Sequence, residues 1–258
     1  MKKFLLTITA IFMCIGAHAK TETINWYMDG NTYATTQCET GSDIILPQTP
    51  YKYGYTFNGW VGYTPIEYLE STGTQYIDTG YVPNINTEVR LNIDYTFDSI
   101  AYLFGVTSKD YQTNVFSFSG NYNSSRYFLV FVAGNSKAPV AGNIPAAFGN
   151  VAHIHYISLS KNKVILDGTT FMFDYVPNEP LNITQNLFVF ARNNIGFADY
   201  KTKMRLFSME IIDSNTLVRD FIPVLDANGV PCMFDKVERK FYYNAGTGQF
   251  VAGPVIGE

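Results

Sequence analysis

Histidine, cysteine and tryptophan are scarce in this 258-residue chain, at three, three and two residues. That scarcity limits the chemistry open to it. Beyond the first twenty residues only His153 and His155 could serve as an imidazole base, and no G-x-S-x-G elbow or Cys–His arrangement accompanies them. The two histidines would share one face of a strand and make half a metal site, but no third ligand can be named. Neither a metal nor any other cofactor is therefore expected, and no phosphate-cradling glycine pattern occurs. Glycoside hydrolysis needs two carboxylates across one sugar bond, which a strand supplies as acids at i, i+2 and i+4. No such cluster exists, and Glu67 and Glu70 are spaced to fall on opposite strand faces. Charge is also sparse: 18 basic and 22 acidic side chains give a net charge of −4, with no basic cluster. Nucleic acid is excluded as a partner, because phosphate neutralisation needs grouped Lys or Arg. An enzyme is not expected.

What the chain has in quantity is aromatic side chains, 19 Tyr and 20 Phe. They come with turn residues and period-2 runs, and no amphipathic helix is evident. The first nineteen residues stand apart. Lys2 and Lys3, the apolar run Phe4 to Ile15 and Ala17-His18-Ala19 have the three parts of a cleavable secretory leader. The run is too short to span a bilayer comfortably, and Met13 before Cys14 argues against a lipid-modified cysteine. Loss of the leader leaves 16 basic and 22 acidic side chains, a net charge near −6. No second long apolar run follows, so the exported chain is not expected to span a membrane. Extracellular, cell-surface and periplasmic destinations all fit. Cys38 and Cys232 remain; export permits a disulfide, but spacing alone cannot pair them, and separate thiols are the simpler expectation.

Residues 20–63 read as a small β module. Ile24 to Tyr27 alternates, Asp29-Gly30 is a hairpin signal, Thr32 to Cys38 returns, and Ile44 to Leu46 is a third run ended by Pro47. Gly54-Tyr55-Thr56-Phe57 and Gly59-Trp60 follow. This order resembles the Listeria–Bacteroides (internalin-B-type) repeat, with Gly41 to Pro47, Pro50 and the GYTF-x-GW run in its pattern. The resemblance implies a β-grasp-like module of extracellular bacterial proteins, here in one copy. Trp26, Tyr55, Phe57 and Trp60 could form a sugar-stacking platform, but a module this short needs its aromatics as core. Gly62 to Pro65 is a short joint without a flexible tract, so the two modules should lie close.

From Ile66 to Gly253 the strands are short and numerous. Val89, Leu91, Ile93 and Tyr95 alternate with Arg90, Asn92 and Asp94, a half-buried strand. Tyr127 to Val132 is a near-continuous apolar run suited to a central strand, and Leu187 to Ala191 is another buried run. Lys203 to Ile212 puts Phe207, Met209 and Ile211 on one face. Asp226-Ala227-Asn228-Gly229 resembles the start of a calcium loop but lacks the later carboxylates, so an ordinary turn is expected. Strands without helices, each with one apolar face, require a facing sheet. The expected fold class is all-β, a two-sheet β-sandwich.

Several stretches resemble a concanavalin A-like, laminin-G-like jelly roll: Glu67 to Gly80, Phe190 to Asn194, Lys203 to Leu206, Leu217 to Pro223, Met233 to Asp235 and Phe241 to Phe250. They span 66–253 in order. The resemblance implies carbohydrate or protein binding at the cell surface. It also implies that first and last strands lie side by side, so Glu67–Tyr81 should pair near Phe241–Phe250, with Tyr76 and Ile77 in the core.

The candidate ligand-binding residues are Tyr122 and Arg126, from an amide-rich loop with Asn121 and Asn123, and Arg192, Asn193 and Asn194 after a buried run. Planar amide and guanidinium forks beside an aromatic face suit sugar hydroxyls, although the same residues commonly satisfy loop backbone. The expected function is an exported, non-catalytic module that binds glycan or an extracellular protein. A structural or adhesion scaffold is the alternative, and a degenerate glycoside hydrolase the third reading.

Overall fold

The structure, a computed structural model, describes residues 2–9, 20–28, 31–40, 42–95, 101–108, 114–122, 127–132, 154–161, 163–172 and 181–256. The N-terminal part holds β1 (Lys2–Thr9), β2 (Thr21–Met28), β3 (Asn31–Glu39) and β4 (Tyr55–Pro65). Next come β5 (Leu69–Thr72), β6 (Ile77–Asp78), β7 (Thr87–Tyr95), β8 (Ala101–Thr107), β9 (Val115–Tyr122) and β10 (Tyr127–Val132). A meander of β11 (Ile154–Ser160), β12 (Lys163–Leu166) and β13 (Thr169–Met172) leads to three short strands, β14 (Phe188–Val189), β15 (Arg192–Asn194) and β16 (Phe197–Asp199). The chain finishes with β17 (Lys203–Asp213), β18 (Thr216–Asp226), β19 (Pro231–Asp235), β20 (Lys240–Tyr242) and β21 (Val251–Ala252).

Among the described residues the chain is all-β, with no helix and two sheets. The larger runs β13-β12-β11-β7-β17-β18-β4-β1-β2-β3, and the smaller β10-β9-β8-β14-β6 with β15 and β16 on β8. β7 shows why: its apolar residues are buried at every second position while Arg90, Asn92 and Asp94 face outward. Val89, Leu91, Ile93, Met209 and Ile211 of the larger sheet share one core with Phe104, Val106, Phe116, Phe118 and Val189 of the smaller. Each sheet's apolar face is thus covered by the other's.

Four local expectations are corrected. Ile44 to Leu46 forms no strand; Ile44 tucks against Ile24 and Trp26, while Ile45 and Leu46 are exposed. Pro47 and Pro50 deny this stretch a regular ladder. The joint at Gly62 to Pro65 is the end of β4, paired with β18 through Pro65↔Val224 and Tyr63↔Asp226. Tyr63 stacks on Phe234 at 4.7 Å, so a strand and an aromatic contact join the two parts. In β17 a bulge between Leu206 and Ser208 removes Phe207 from the inward face, and Met204, Leu206, Met209 and Ile211 fill the core instead. β10 pairs only with β9 among the described residues and ends its sheet, so it is not central there.

Glu67–Tyr81 meets the C-terminal segment as its resemblance implies. β5 pairs with β21 through Leu69↔Ala252 and Glu70↔Val251, and Ile66 bridges Val255. Ala245 N–H and Thr247 N–H donate to the carbonyls of Tyr76 and Thr74. Ile77 is core and Tyr76 lies against Phe188 at 4.8 Å. Cys38 and Cys232 are both free thiols, on β3 and β19; burial pushes the Cys232 thiol up to about 12. Lys2–Thr9, inside the stretch that reads as a leader, lies parallel to β4 and meets β2 through Ile8↔Trp26 and Thr9↔Asn25.

Asp226 makes the turn expected of D-A-N-G. Its Oδ1 accepts from the N–H of Asn228 and Val230, its Oδ2 accepts from Tyr243 O–H, and Gly229 has φ +76°. Partial burial raises its pKa, but these donors outweigh burial and hold it below the usual aspartate value. A lowered carboxyl pKa contributes stability that is complete above the ordinary aspartate range and lost as pH falls through the folded value. Melting curves of the parent and Asp226→Asn should therefore differ at pH 6 and draw together as pH falls below the ordinary aspartate range. A gap that stays constant across that range would refute this role.

Candidate binding site

Arg192, Asn193 and Asn194 form β15, which lies parallel to β8 and antiparallel to β16. The pairs Arg192↔Asp199 and Asn194↔Phe197 occupy one face of this small hairpin, and Asn193↔Ala198 the other. Ile195 (φ +51°) and Gly196 (φ +91°) make the two-residue turn, whose consecutive positive φ values match the twist of the flanking strands.

The three residues have different duties. Asn193 is buried and structural: its Nδ2 donates to the Asn186 carbonyl at 2.8 Å and its Oδ1 accepts from Gly196 N–H at 2.7 Å. Arg192 lies inward of the hairpin surface, its side chain 11% exposed. Its Nε and Nη2 donate to the two carboxylate oxygens of Asp199 at 2.9 and 2.6 Å, and Nη1 donates to Tyr102 Oη at 3.0 Å. The guanidinium also lies 4.5 Å from the Tyr102 ring centre and 5.4 Å from that of Tyr200. Burial works against its charge, but Asp199 and the two tyrosines outweigh it and raise the pKa. Asn194 Nδ2 donates to the same Asp199 Oδ2 at 3.0 Å.

Gly105 makes room for this arrangement. A Cβ there would lie 2.7 Å from Ser117 Cβ and 3.3 Å from Arg192 Cγ. Thr202 Oγ1 donates to the Tyr102 carbonyl, and Tyr102 N–H donates to the Tyr200 carbonyl at 2.9 Å, which ties the returning chain to β8.

The outer surface of the hairpin is aromatic. Phe197 is 77% exposed, Tyr200 52% and Ile195 39%, around a core of mutually neutralised Arg192 and Asp199. Chemically, this gives flat apolar faces beside an amide and a carboxylate edge, the combination that holds a sugar ring by stacking and hydroxyl contacts.

Of the other two candidates, Tyr122 and Arg126, only the backbone of Tyr122 is described. Tyr122 ends β9, whose Gly120 pairs with Ala101 of β8; Asn194 pairs with Thr107 at the far end of β8, while Tyr200 lies beside Tyr102 at the near end. Arg126 and Asn123 lie outside the described residues, as does His153. His155 is exposed on β11 with Nδ1 3.9 Å from Asp167 Oδ2. Among the described residues no three His, Cys, Asp or Glu side chains gather as a metal-holding group.

No family profile matches the chain, and no curated protein matches it. Among solved structures, one similar fold is a candidate carbohydrate binding protein from Bacteroides ovatus. It is 11% identical, with 95% of this chain and 71% of that one covered, at a TM-score of 0.41. A likeness that slight supports no argument about fold or ligand.

Sequence reasoning missed Tyr102, Phe197, Asp199 and Tyr200. Asp199 had a local signal, since Arg192 and Asp199 stand three residues either side of Ile195-Gly196 and must face each other across any two-residue turn there. Tyr102 had none, being brought in by β8 from 90 residues away. A second polar surface is the outward face of the larger sheet. There Arg90 pairs with Glu88 and Glu210, and Arg205 pairs with Glu70 while lying over Tyr68. Its charges bind one another and leave less aromatic surface open than the hairpin does.

Proposed function

We propose that the chain is an exported, non-catalytic bacterial binding module whose jelly-roll domain recognises carbohydrate at the β15–β16 hairpin. The observation that carries this reading is the pair of exposed aromatic rings, Phe197 and Tyr200, flanking the Arg192–Asp199–Asn194 cluster. The adjacency of β5 and β21 supports the laminin-G-like order of strands, and no helix among the described residues is long and apolar enough to cross a membrane. Export with cleavage after Ala19 would withdraw β1 from between β2 and β4. Protein recovered from outside the cytoplasm should then begin at Lys20 by intact mass.

Binding to an array of neutral and acidic glycans tests the ligand. Saturable binding to at least one glycan is expected, and Tyr200→Ala should weaken it about tenfold or more, the effect of losing one stacking ring. Unchanged affinity would remove the hairpin from consideration. A reducing-sugar assay on β-glucans should remain at baseline; release of sugar would favour the degenerate hydrolase.

The scaffold alternative has one observation in its favour. β3 ends the larger sheet among the described residues, and its nine residues include no Lys or Pro and only one charged side chain, Glu39. Edges of that kind are suited to pairing with another strand. Silence across the array together with concentration-dependent self-association in the ultracentrifuge would favour this reading.

A further inference from the structure

Three non-glycine residues with positive φ fall within eleven positions at the hairpin: Phe190 (φ +68°), Ile195 (φ +51°) and Tyr200 (φ +45°). Phe190 is buried in the core, so packing accounts for it. At Ile195 the turn accounts for the left-handed backbone but not for the choice of isoleucine. A β-branched side chain is the poorest occupant of the left-handed region, where Asn, Asp or Gly would sit with less strain. It is also 39% exposed, so the burial that settles Phe190 is not available to it in full. Tyr200 repeats the pattern, with a left-handed backbone and a ring half open to solvent. Strain retained at exposed apolar side chains, beside a third exposed apolar residue at Phe197, marks a surface kept for contact with something else.

Charge narrows the choice of ligand. The turn Asn194-Ile195-Gly196-Phe197 carries no ionisable group. The fork of Arg192 is occupied by both oxygens of Asp199, so a ligand carboxylate or sulfate could bind it only by displacing that partner. The neighbouring cation, Lys201, donates to the Ala198 carbonyl at 3.0 Å and lies 5.9 Å from the Tyr76 ring centre. An anionic sugar would meet the exposed side of a carboxylate, whereas an uncharged pyranose would meet rings, an amide and acceptor oxygens.

We infer that the β15–β16 hairpin selects neutral glycans. The sugar ring lies against Phe197 and Tyr200, Ile195 covers its edge, and the Asp199 carboxylate, held by Asn194 Nδ2, meets its hydroxyls. Arg192 is a positioning residue that holds Asp199 and the tyrosine rings in place. This rests on the carbohydrate reading above and assigns the class of sugar within it.

The test uses the exported chain in affinity electrophoresis against α-mannan, β-galactan and dextran on one side and polygalacturonate and chondroitin sulfate on the other. Retardation by at least one neutral polysaccharide and by neither acidic one is expected. Phe197→Ala should weaken that binding about tenfold. Ile195→Asn should raise the melting temperature by about 2–4 °C, by relieving the left-handed isoleucine, while weakening binding several-fold. Ile195→Gly supplies a second turn-compatible variant with the same two expectations. Equal or tighter binding to the acidic polymers would overturn the neutral class and leave the carbohydrate reading standing. No retardation by any of the five would overturn that reading and this inference with it. Binding that survives Phe197→Ala and Ile195→Asn unchanged would place the site elsewhere, and the absence of a melting gain would refute the strain argument.

Discussion

Arg219→Met should lower the melting temperature by about 10 °C or more, the largest single-residue loss expected in the chain. Arg219 projects from β18 with its side chain 11% exposed and faces Asp235, whose side chain is fully buried. Arg219 Nε lies 3.5 Å from Asp235 Oδ2 and donates to the Thr79 carbonyl at 3.2 Å. Nη1 lies 2.8 Å from Glu238 Oε1 and donates to the Val218 carbonyl. Asp235 Oδ1 accepts from the N–H groups of Asp220 and Val237. Burial pushes the Asp235 carboxyl pKa up, against the pull of those backbone donors and of Arg219.

Removing the arginine leaves that carboxylate in the interior without its cation, a change that costs about 3–5 kcal/mol. For a domain of this size each kilocalorie corresponds to about 2–4 °C. Methionine keeps the length and apolar stem, so the loss reports charge more than volume. The pH dependence supplies a second check. A carboxyl whose folded pKa is raised favours its protonated form in the fold, so its charge opposes folding at neutral pH, and acidification relieves that opposition. Arg219→Met should thus recover part of its deficit as pH falls from 7 toward the ordinary aspartate range. A melting shift under 2 °C, or a deficit that grows on acidification, would contradict this account.

Gly246→Ala is expected to cost about 3 kcal/mol, near the top of the range for over-packing. A Cβ at Gly246 would lie 2.2 Å from the Thr74 carbonyl oxygen and 3.1 Å from a Tyr76 ring carbon. The first of these is backbone in the stretch Glu67–Tyr81 and cannot swing aside. Relief requires Ala245–Thr247 to part from Thr74–Tyr76, breaking the hydrogen bonds between them. Gly62→Ala is the control: nothing lies within 4 Å of its Cβ position. It should stay within about 0.5 kcal/mol of the parent. Chemical denaturation of both variants checks the contrast, and equal midpoints would sink it.

What could be read from the sequence followed from local periodicity. β7 needs only its alternation to be placed, because each outward residue announces itself by polarity. The meeting of Glu67–Tyr81 with the C-terminal segment followed from a family resemblance; bonds from Ala245 and Thr247 fall within the expected Phe241–Phe250, but the strand ladder itself is with Val251 and Ala252, just beyond it. β17 was misread at one position, because a bulge shifts the phase by a residue and has no signature in an apolar run containing Phe207. Ile44 to Leu46 has strand composition but no strand partner among the described residues, and partnership is not a local property. At the candidate site, the hairpin and its charge pair are local in sequence, whereas Tyr102 and the clearance at Gly105 depend on tertiary structure. The exposed, left-handed Ile195 is invisible to propensity, since propensity predicts against it.

The union of β5 with β21 also has a mechanical consequence. Ile66 and Val255 are bridged, so the segment from 66 to 255 begins and ends at neighbouring points of one sheet edge. β5 and β21 run antiparallel, with hydrogen bonds perpendicular to the strands. Tension applied between those two points would load the bonds one at a time, from Ile66–Val255 inward, in the geometry of a zip fastener. Anchored at both of those points, the segment would peel open at low force, whereas tethered at one it would carry no load across that seam.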